Sequence, residues 1–255
     1  LDPRVKIVCT LLFLVSLFIQ NSLLGYVIAT IYLGTVIRLS KVPLKYIVKG
    51  LKPVVILLLF TVIMNLLLTR TGDTLIHFWI FTITEGGLRT SVFMAIRLMY
   101  LVAGSSIMTF TTSPNGLTDG MEKLLHPLNK LNVPVHEVAM MMSIALRFIP
   151  ILLEETDKIM KAQQARGADF ESGNIIQRAK AMVPILVPLF VSAFRRANDL
   201  AMAMESRCYH GGEGRTKMKP LRYKSRDRIA YIITLIYLVA IFAVGRFVPF
   251  KLWIF

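Results

Sequence analysis

The chain has 255 residues, 55% of them hydrophobic and only 18% charged, and its mean hydropathy is +0.61. A soluble domain of this length carries more charge, so the composition points away from one and towards a lipid bilayer. The formal net charge of +15 would suit nucleic acid, but the cations flank apolar runs instead of forming one soluble face. Nucleic acid is therefore not an expected partner.

Cys9 and Cys208 are the only cysteines, which make neither a disulfide framework nor a zinc site. Cys9 lies in an apolar run and reads as a small buried hydrophobe. No cleaved signal peptide is expected at the start. Leu1 in place of Met implies a natural start further upstream.

The first apolar stretch, residues 7–37, is interrupted at Gln20, Asn21 and Ser22. As one helix it would be about 46 Å long, too long for a hydrocarbon core of about 30 Å. Arg4 and Lys6 precede it, and a loop bearing Arg38, Lys41, Lys45, Lys49 and Lys52 follows it. Two basic clusters on the same side require an even number of crossings. The stretch therefore reads as a hairpin of two short spans with its N-terminus cytoplasmic. A third span is expected over residues 54–68, opened by Pro53 in its first turn. Residues 69–87 hold Arg70, Asp73 and Glu85 as their only charges, which fits the outside. Gly86 and Gly87 open a fourth span, residues 88–110.

The character changes over residues 111–228, where cations outnumber acids and charges interrupt each would-be span. Ser113 and Pro114, with Asp119 and Glu122 following, read as a helix start. Pro127 and Pro134 punctuate. Two long helices follow, about residues 135–165 and 175–206, each about 45 Å long, which Pro150, Pro184 and Pro188 should bend. The basic run 222–228 ends this region. A fifth span, residues 229–245, places the C-terminus outside. The expected fold is thus all-α and polytopic. Four spans lie in 1–110, cytoplasmic helices in 111–228, and the last span with an external C-terminus in 229–255.

Enzyme signatures are missing. The stretch 211–217 has glycines and a lysine but no P-loop order, and reads as a flexible turn. His77, His126, His136 and His210 form no close metal pair. There is no G-x-S-x-G turn and no paired-aspartate cluster. No catalytic residue, metal ligand or cofactor is expected on this chain.

Both long helices end in an arginine. The first ends Ala165-Arg166-Gly167 and the second Ser206-Arg207-Cys208. One arginine in a last helical turn is commonplace, because it complements the helix dipole, and Gly167 is simply a good stop. Two at the same relative place are harder to dismiss. A rigidly held guanidinium suits docking into a groove of another protein.

With these motifs the chain resembles the transmembrane T component of energy-coupling factor transporters. Two Ala-Arg-Gly-like motifs end two long coupling helices in that family. Ala165-Arg166-Gly167 matches the first motif, and Ser206-Arg207-Cys208 keeps the central arginine of the second. The opening Leu1-Asp2-Pro3-Arg4-Val5-Lys6 and the run from Ser143 to Pro150 leading into Glu154-Glu155 are also similar. The resemblance implies two ABC-type ATPase subunits, each receiving one arginine tip. It further implies a membrane-embedded S component that captures a vitamin or transition metal, with ATP and Mg on the ATPases.

Most of the 13 methionines fall between Met121 and Met218. Met140, Met141 and Met142 read either as core or as an adaptable surface for exchangeable S components. Glu154 and Glu155 precede Arg166 by the same spacing as Arg195 and Arg196 precede Arg207. These opposite charges either pair at a helix crossing or remain solvated faces. Arg97, deep in the fourth span, needs a polar partner, with Asn65 or a backbone carbonyl as candidates. Arg147 lies in the cytoplasmic region, near water or lipid phosphate. A T component dedicated to one substrate, an intramembrane enzyme and a membrane scaffold are the rival readings.

Overall fold

The computed structural model describes residues 1–20, 22–68, 74–78, 81–170, 174–212, 218 and 220–247. Arg70, Asp73, most of the 211–217 turn and the expected external C-terminus at 248–255 lie outside them. The chain forms two compact units, Leu1–Gly120 with Leu221–Phe255, and Met121–Pro220.

The apolar stretch near the N-terminus does break at Gln20. Helix α1 (Pro3–Ile19) and helix α2 (Leu23–Ser40) flank the break. Pro3 fits the first turn of α1, and the Asp2 side chain caps it by accepting from the Arg4 amide at 2.9 Å. Gly25 lets the chain turn back: a Cβ there would lie 1.6 Å from the Gln20 side chain.

The lysines after α2 are not all in a loop. Lys45 and Lys49 stand on a short helix, α3 (Leu44–Leu51), with Ile47 buried opposite them. A 3-10 turn at Lys52–Val54, around Pro53, joins it to α4 (Val55–Leu68). An antiparallel pair, β1 (Thr74–Phe78) and β2 (Phe81–Thr84), then intervenes and forms the only strands among the described residues. Helix α5 (Glu85–Thr111) follows, capped by the Thr84 hydroxyl, which accepts from the Gly87 amide. Next come α6 (Pro114–Leu125), a 3-10 stretch (His126–Leu131), α7 (Val135–Ala165), α8 (Ile175–Glu205) and α9 (Ser225–Phe247).

In the first unit, α1, α2, α3, α5 and α9 share a core of Phe13, Leu17, Ala29, Leu33, Ile47, Ala103, Ile107, Tyr237 and Ile241. Tyr32 stacks on Tyr237 at 4.2 Å and on Phe13 at 5.5 Å. Gly104 permits close approach, because a Cβ there would be 2.8 Å from the Phe13 ring. Hydroxyls pair across helices, Ser16 with Tyr237 at 2.7 Å and Tyr32 with Thr234 at 3.0 Å. This is the arrangement expected where no water is at hand to satisfy them. The first and last helices are clasped. The Asp2 amide donates to Asp227 at 2.8 Å, Arg4 pairs with Asp2 at 2.8 Å, and the Arg4 guanidinium lies 3.9 Å from the centre of the Tyr223 ring. The Arg4 side chain beside Asp2 holds its carboxyl below the usual carboxylate range.

Arg97 of α5 finds a hydroxyl and a carbonyl. Its Nε donates to the Tyr26 hydroxyl at 3.0 Å and its Nη2 to the Gln20 carbonyl at 2.8 Å. Asn65, the other candidate, donates to Thr61 of its own helix at 2.9 Å. The outer faces are apolar: Ile56 is 80% exposed and Phe242 76%. Hydrocarbon, not water, suits such a surface.

Among the described residues, six helical stretches are long and apolar enough to cross a membrane: Leu23–Ser40, Leu44–Leu67, Glu85–Thr111, Val135–Ala165, Ile176–Glu205 and Ser225–Arg246. The set differs from the five expected spans. Helix α1, with 17 residues, stands at the short end of the range that crosses a bilayer. Helices α7 and α8 qualify by composition, since each gathers its charges into part of its length. Helix α8 carries no charge from Ala181 to Phe194, and α7 from Val135 to Leu153 carries only Glu137 and Arg147.

Candidate functional site

The second unit holds every residue singled out for partner contact, and it has little core of its own. Val135, Ala139 and Ile185 are its buried apolar residues among those described. A polar crossing joins α7 to α8. Glu155 accepts from Arg196 at 2.6 Å and from the Ser192 hydroxyl at 2.7 Å. Glu154 and Arg195, the neighbours of that pair, are exposed and form no ion pair with each other. Glu155 and Arg196 each stand eleven residues before the arginine that ends their helix. Pro150, Pro184 and Pro188 sit inside the helices without ending them.

The two helix ends have the same geometry. After α7, the Ala168 amide donates to the Gln163 carbonyl at 3.0 Å and the Gly167 amide to Gln164 at 2.9 Å. After α8, the Tyr209 amide donates to Met204 at 3.1 Å and the Cys208 amide to Glu205 at 2.8 Å. Both pairs are the 6→1 and 5→2 bonds of a left-handed C-terminal turn. Arg166 and Arg207 occupy the same capping position. Gly167 (φ +89°) and Cys208 (φ +53°) occupy the left-handed position after it. The motif spacing set Cys208 in the place of Gly167, and the shared left-handed backbone gives the two residues the same structural role. Both arginines are exposed, and neither makes an ion pair or side-chain hydrogen bond among the described residues.

The ends also lie well apart. Gly212, beyond the second tip, packs on the His136 ring, and a Cβ there would be 3.2 Å from the Cβ of His136. Glu122 holds that ring through Nδ1 at 3.0 Å. The Cα atoms of His136 and Gly212 are therefore within about 6 Å. From His136 to Arg166, α7 rises about 45 Å, or a little less if it bends at Pro150. From Gly212 back to Arg207 the chain reaches at most about 19 Å. The Cα atoms of Arg166 and Arg207 are thus at least about 18 Å apart.

Apolar side chains form exposed stripes between these ends. Met141 and Met142 are exposed on α7, together with Val138, Ile149 and Leu153, while Met140 is half-buried. The longer stripe is on α8 and was not singled out from the sequence: Met182, Val183, Leu186, Val187, Phe190 and Phe194 are each more than half exposed. Their spacing of three and four residues is the signal that would have found them. No group of three metal-ligating side chains occurs among the described residues.

The family model described as CbiQ, cobalt transport protein, matches residues 1–218. The chain is 56% identical to the energy-coupling factor transporter transmembrane protein EcfT of Clostridium kluyveri, over 96% of this chain and 91% of that protein. It is 52% identical to the EcfT of Thermosediminibacter oceani, over 99% of this chain and 93% of that protein. With the EcfT of Bacillus subtilis it shares 49% identity, over 94% and 91% respectively. This multi-pass helical chain therefore belongs to the family of EcfT transmembrane components of energy-coupling factor transporters.

Proposed function

We propose that the chain is the coupling subunit of an ATP-driven micronutrient importer and does no chemistry itself. Two ABC-type ATPase subunits each take one arginine tip, Arg166 with its neighbours Ala165 and Gly167, and Arg207 with Ser206 and Cys208. ATP and Mg reside on those subunits. A membrane-embedded S component captures a vitamin or transition metal and meets the exposed apolar stripes of α7 and α8, including Met140 to Met142. The orientation that goes with this reading puts residues 111–228 and the N-terminus in the cytoplasm and the C-terminus outside.

The observation that carries the reading is the repeated tip: one turn geometry, one exposed arginine in each and a gap of at least about 18 Å between them. Such a gap suits two separate grooves better than one. Exposed methionines on the stripe favour a surface that accepts more than one S component. The test is co-purification and uptake with Arg166→Ala, Arg207→Ala and the double variant. Loss of a buried arginine anchor costs at least about 2 kcal/mol at an interface. Each single variant should weaken one ATPase contact, and the double variant should release the ATPases and abolish uptake. An intact, active complex in the double variant refutes the proposal.

A further inference from the structure

A cavity of about 310 Å³ opens in the first unit between α1, α2, α5 and α9. Its walls are mainly apolar, with Val5, Phe13, Leu33, Val36, Ile107 and Ile233 among them. Most of its hydroxyls are already committed: Tyr32 bonds Thr234, Thr35 donates to the Ile31 carbonyl, and Ser40 donates to the Ile37 carbonyl. Such a space offers water few partners, and apolar cavities take up hydrocarbon instead. Its size lies at the lower end of the range for sites that hold small ligands.

One cation stands in its wall and two more adjoin wall residues in the sequence. Lys6 is in the wall, half-buried, and donates to the Thr111 carbonyl at the last residue of α5. An ammonium has three donors, so others remain for a ligand. Arg38 and Lys41, both exposed, bracket the wall residues Leu39 and Ser40. The sequence contains no acid from residue 3 to residue 72, and none lines the cavity. The two acids of the clasp are committed, Asp2 to Arg4 and Asp227 to the backbone amides of Asp2 and Lys224. An apolar space with Lys6 in its wall and Arg38 and Lys41 beside the wall residues Leu39 and Ser40 matches an amphiphile with one negative head and a hydrocarbon tail.

We propose that this cavity holds one acyl chain of an anionic phospholipid from the surrounding membrane, with the lipid phosphate on Lys6 and flanked by Arg38 and Lys41. The site wedges the first, second, fifth and last helices apart by a fixed amount, so bound lipid sets their spacing. It does not depend on the coupling role, only on the chain's place in a membrane.

The test is native mass spectrometry of the full transporter complex, reconstituted in equal phosphatidylglycerol and phosphatidylcholine and then released from the bilayer. The wild type should retain one phosphatidylglycerol in preference to phosphatidylcholine. Each cation removed near a membrane surface is worth about fivefold. Lys6→Gln and the exposed pair Arg38→Gln/Lys41→Gln should therefore each erode the preference by at least that factor. Ala230→Phe, which fills the cavity, should lose the lipid whatever its head. Should a variant fail to fold, a photoactivatable phosphatidylglycerol with its reactive group in the acyl chain should label the wild type on peptides carrying Cys9 or Met108. Equal retention of the two lipids by the wild type, a preference that survives removal of all three cations, or labelling confined to the outer faces of α4 and α9 overturns the proposal.

Discussion

Cys208 is the residue that makes the second arginine tip unequal to the first. A side chain at left-handed φ costs about 1–2 kcal/mol, which glycine avoids. Glycine loses about 0.5–1 kcal/mol in return through its freer unfolded backbone. Cys208→Gly should therefore tighten the turn by about 0.5–1 kcal/mol, a two- to fivefold change in its open population. The reverse change is costlier. Gly167 has φ +89° against +53° for Cys208, further from the region near +60° that side chains tolerate. Gly167→Cys should cost about 1–2 kcal/mol, a five- to thirtyfold rise in opening. The assay is amide hydrogen exchange at the two 6→1 donors, Tyr209 in one turn and Ala168 in the other. Tyr209 should exchange more slowly in Cys208→Gly, and Ala168 faster in Gly167→Cys, with the opposite tip unchanged in each. Unchanged or faster exchange at Tyr209 in Cys208→Gly would show that the left-handed residue does not limit this turn.

The crossing of α7 and α8 should behave as a coupled pair: Glu155→Gln and Arg196→Gln each lower the thermal midpoint, and the double variant is no worse than the worse single one. Additive losses would remove the pair from any role at the crossing. Arg97→Met should lose about 3 kcal/mol, as hydrogen bonds from a charged donor to Tyr26 and to the Gln20 carbonyl disappear; Arg97→Lys should lose less, and equal thermal shifts for the two would contradict the two-acceptor geometry. At the clasp, Arg4 holds the Asp2 carboxyl below its usual 3.8. A depressed carboxyl contributes stability that is complete above the ordinary value and lost as pH falls through the lowered one. The thermal midpoint should drop below about pH 4, and Asp2→Asn should flatten that acid limb; an identical acid limb in the variant would remove Asp2 from the linkage.

What was legible in the sequence was mostly what charge and apolar length dictate. The break at Gln20 follows from a run too long for one crossing, and Arg97 in an apolar helix demanded a partner before any was seen. The Glu155 to Arg196 contact was legible as an option from equal spacing, but sequence could not say which neighbours take part. Adjacent helix residues point about 100° apart, so a crossing can engage one of each pair and leaves Glu154 and Arg195 outside. Lysines hid helix α3, because the positive-inside argument counts charge and is blind to whether Lys45 and Lys49 share a helix face. The β1–β2 pair escapes a charge argument in the same way, because its signal is the threonine, isoleucine and phenylalanine content of Thr74–Phe78 and Phe81–Thr84. The equivalence of Cys208 with Gly167 was legible only in its place after the arginine, since cysteine itself has no preference for left-handed backbone.

The coupling role proposed above needs a part that moves as one piece, and the second unit has few means of achieving that. With Val135, Ala139 and Ile185 as its described buried apolar residues, it cannot rely on a packed core to keep α7 and α8 together. On the proposed reading the polar contact of Glu155 with Arg196 and Ser192 takes on that role. Each tip stands eleven residues beyond it, about 16 Å along a helix. Equal arms about one pivot mean that equal displacements at the two tips reach the crossing with equal leverage. An ATPase pair that closes symmetrically would then act on both helices alike. On this reading the arginines alone are not sufficient: a complex with both tips docked but the Glu155 contact removed should still bind ATPases and hydrolyse ATP, yet import little. Retained uptake in Glu155→Gln, with both arginines intact, would place the pivot elsewhere.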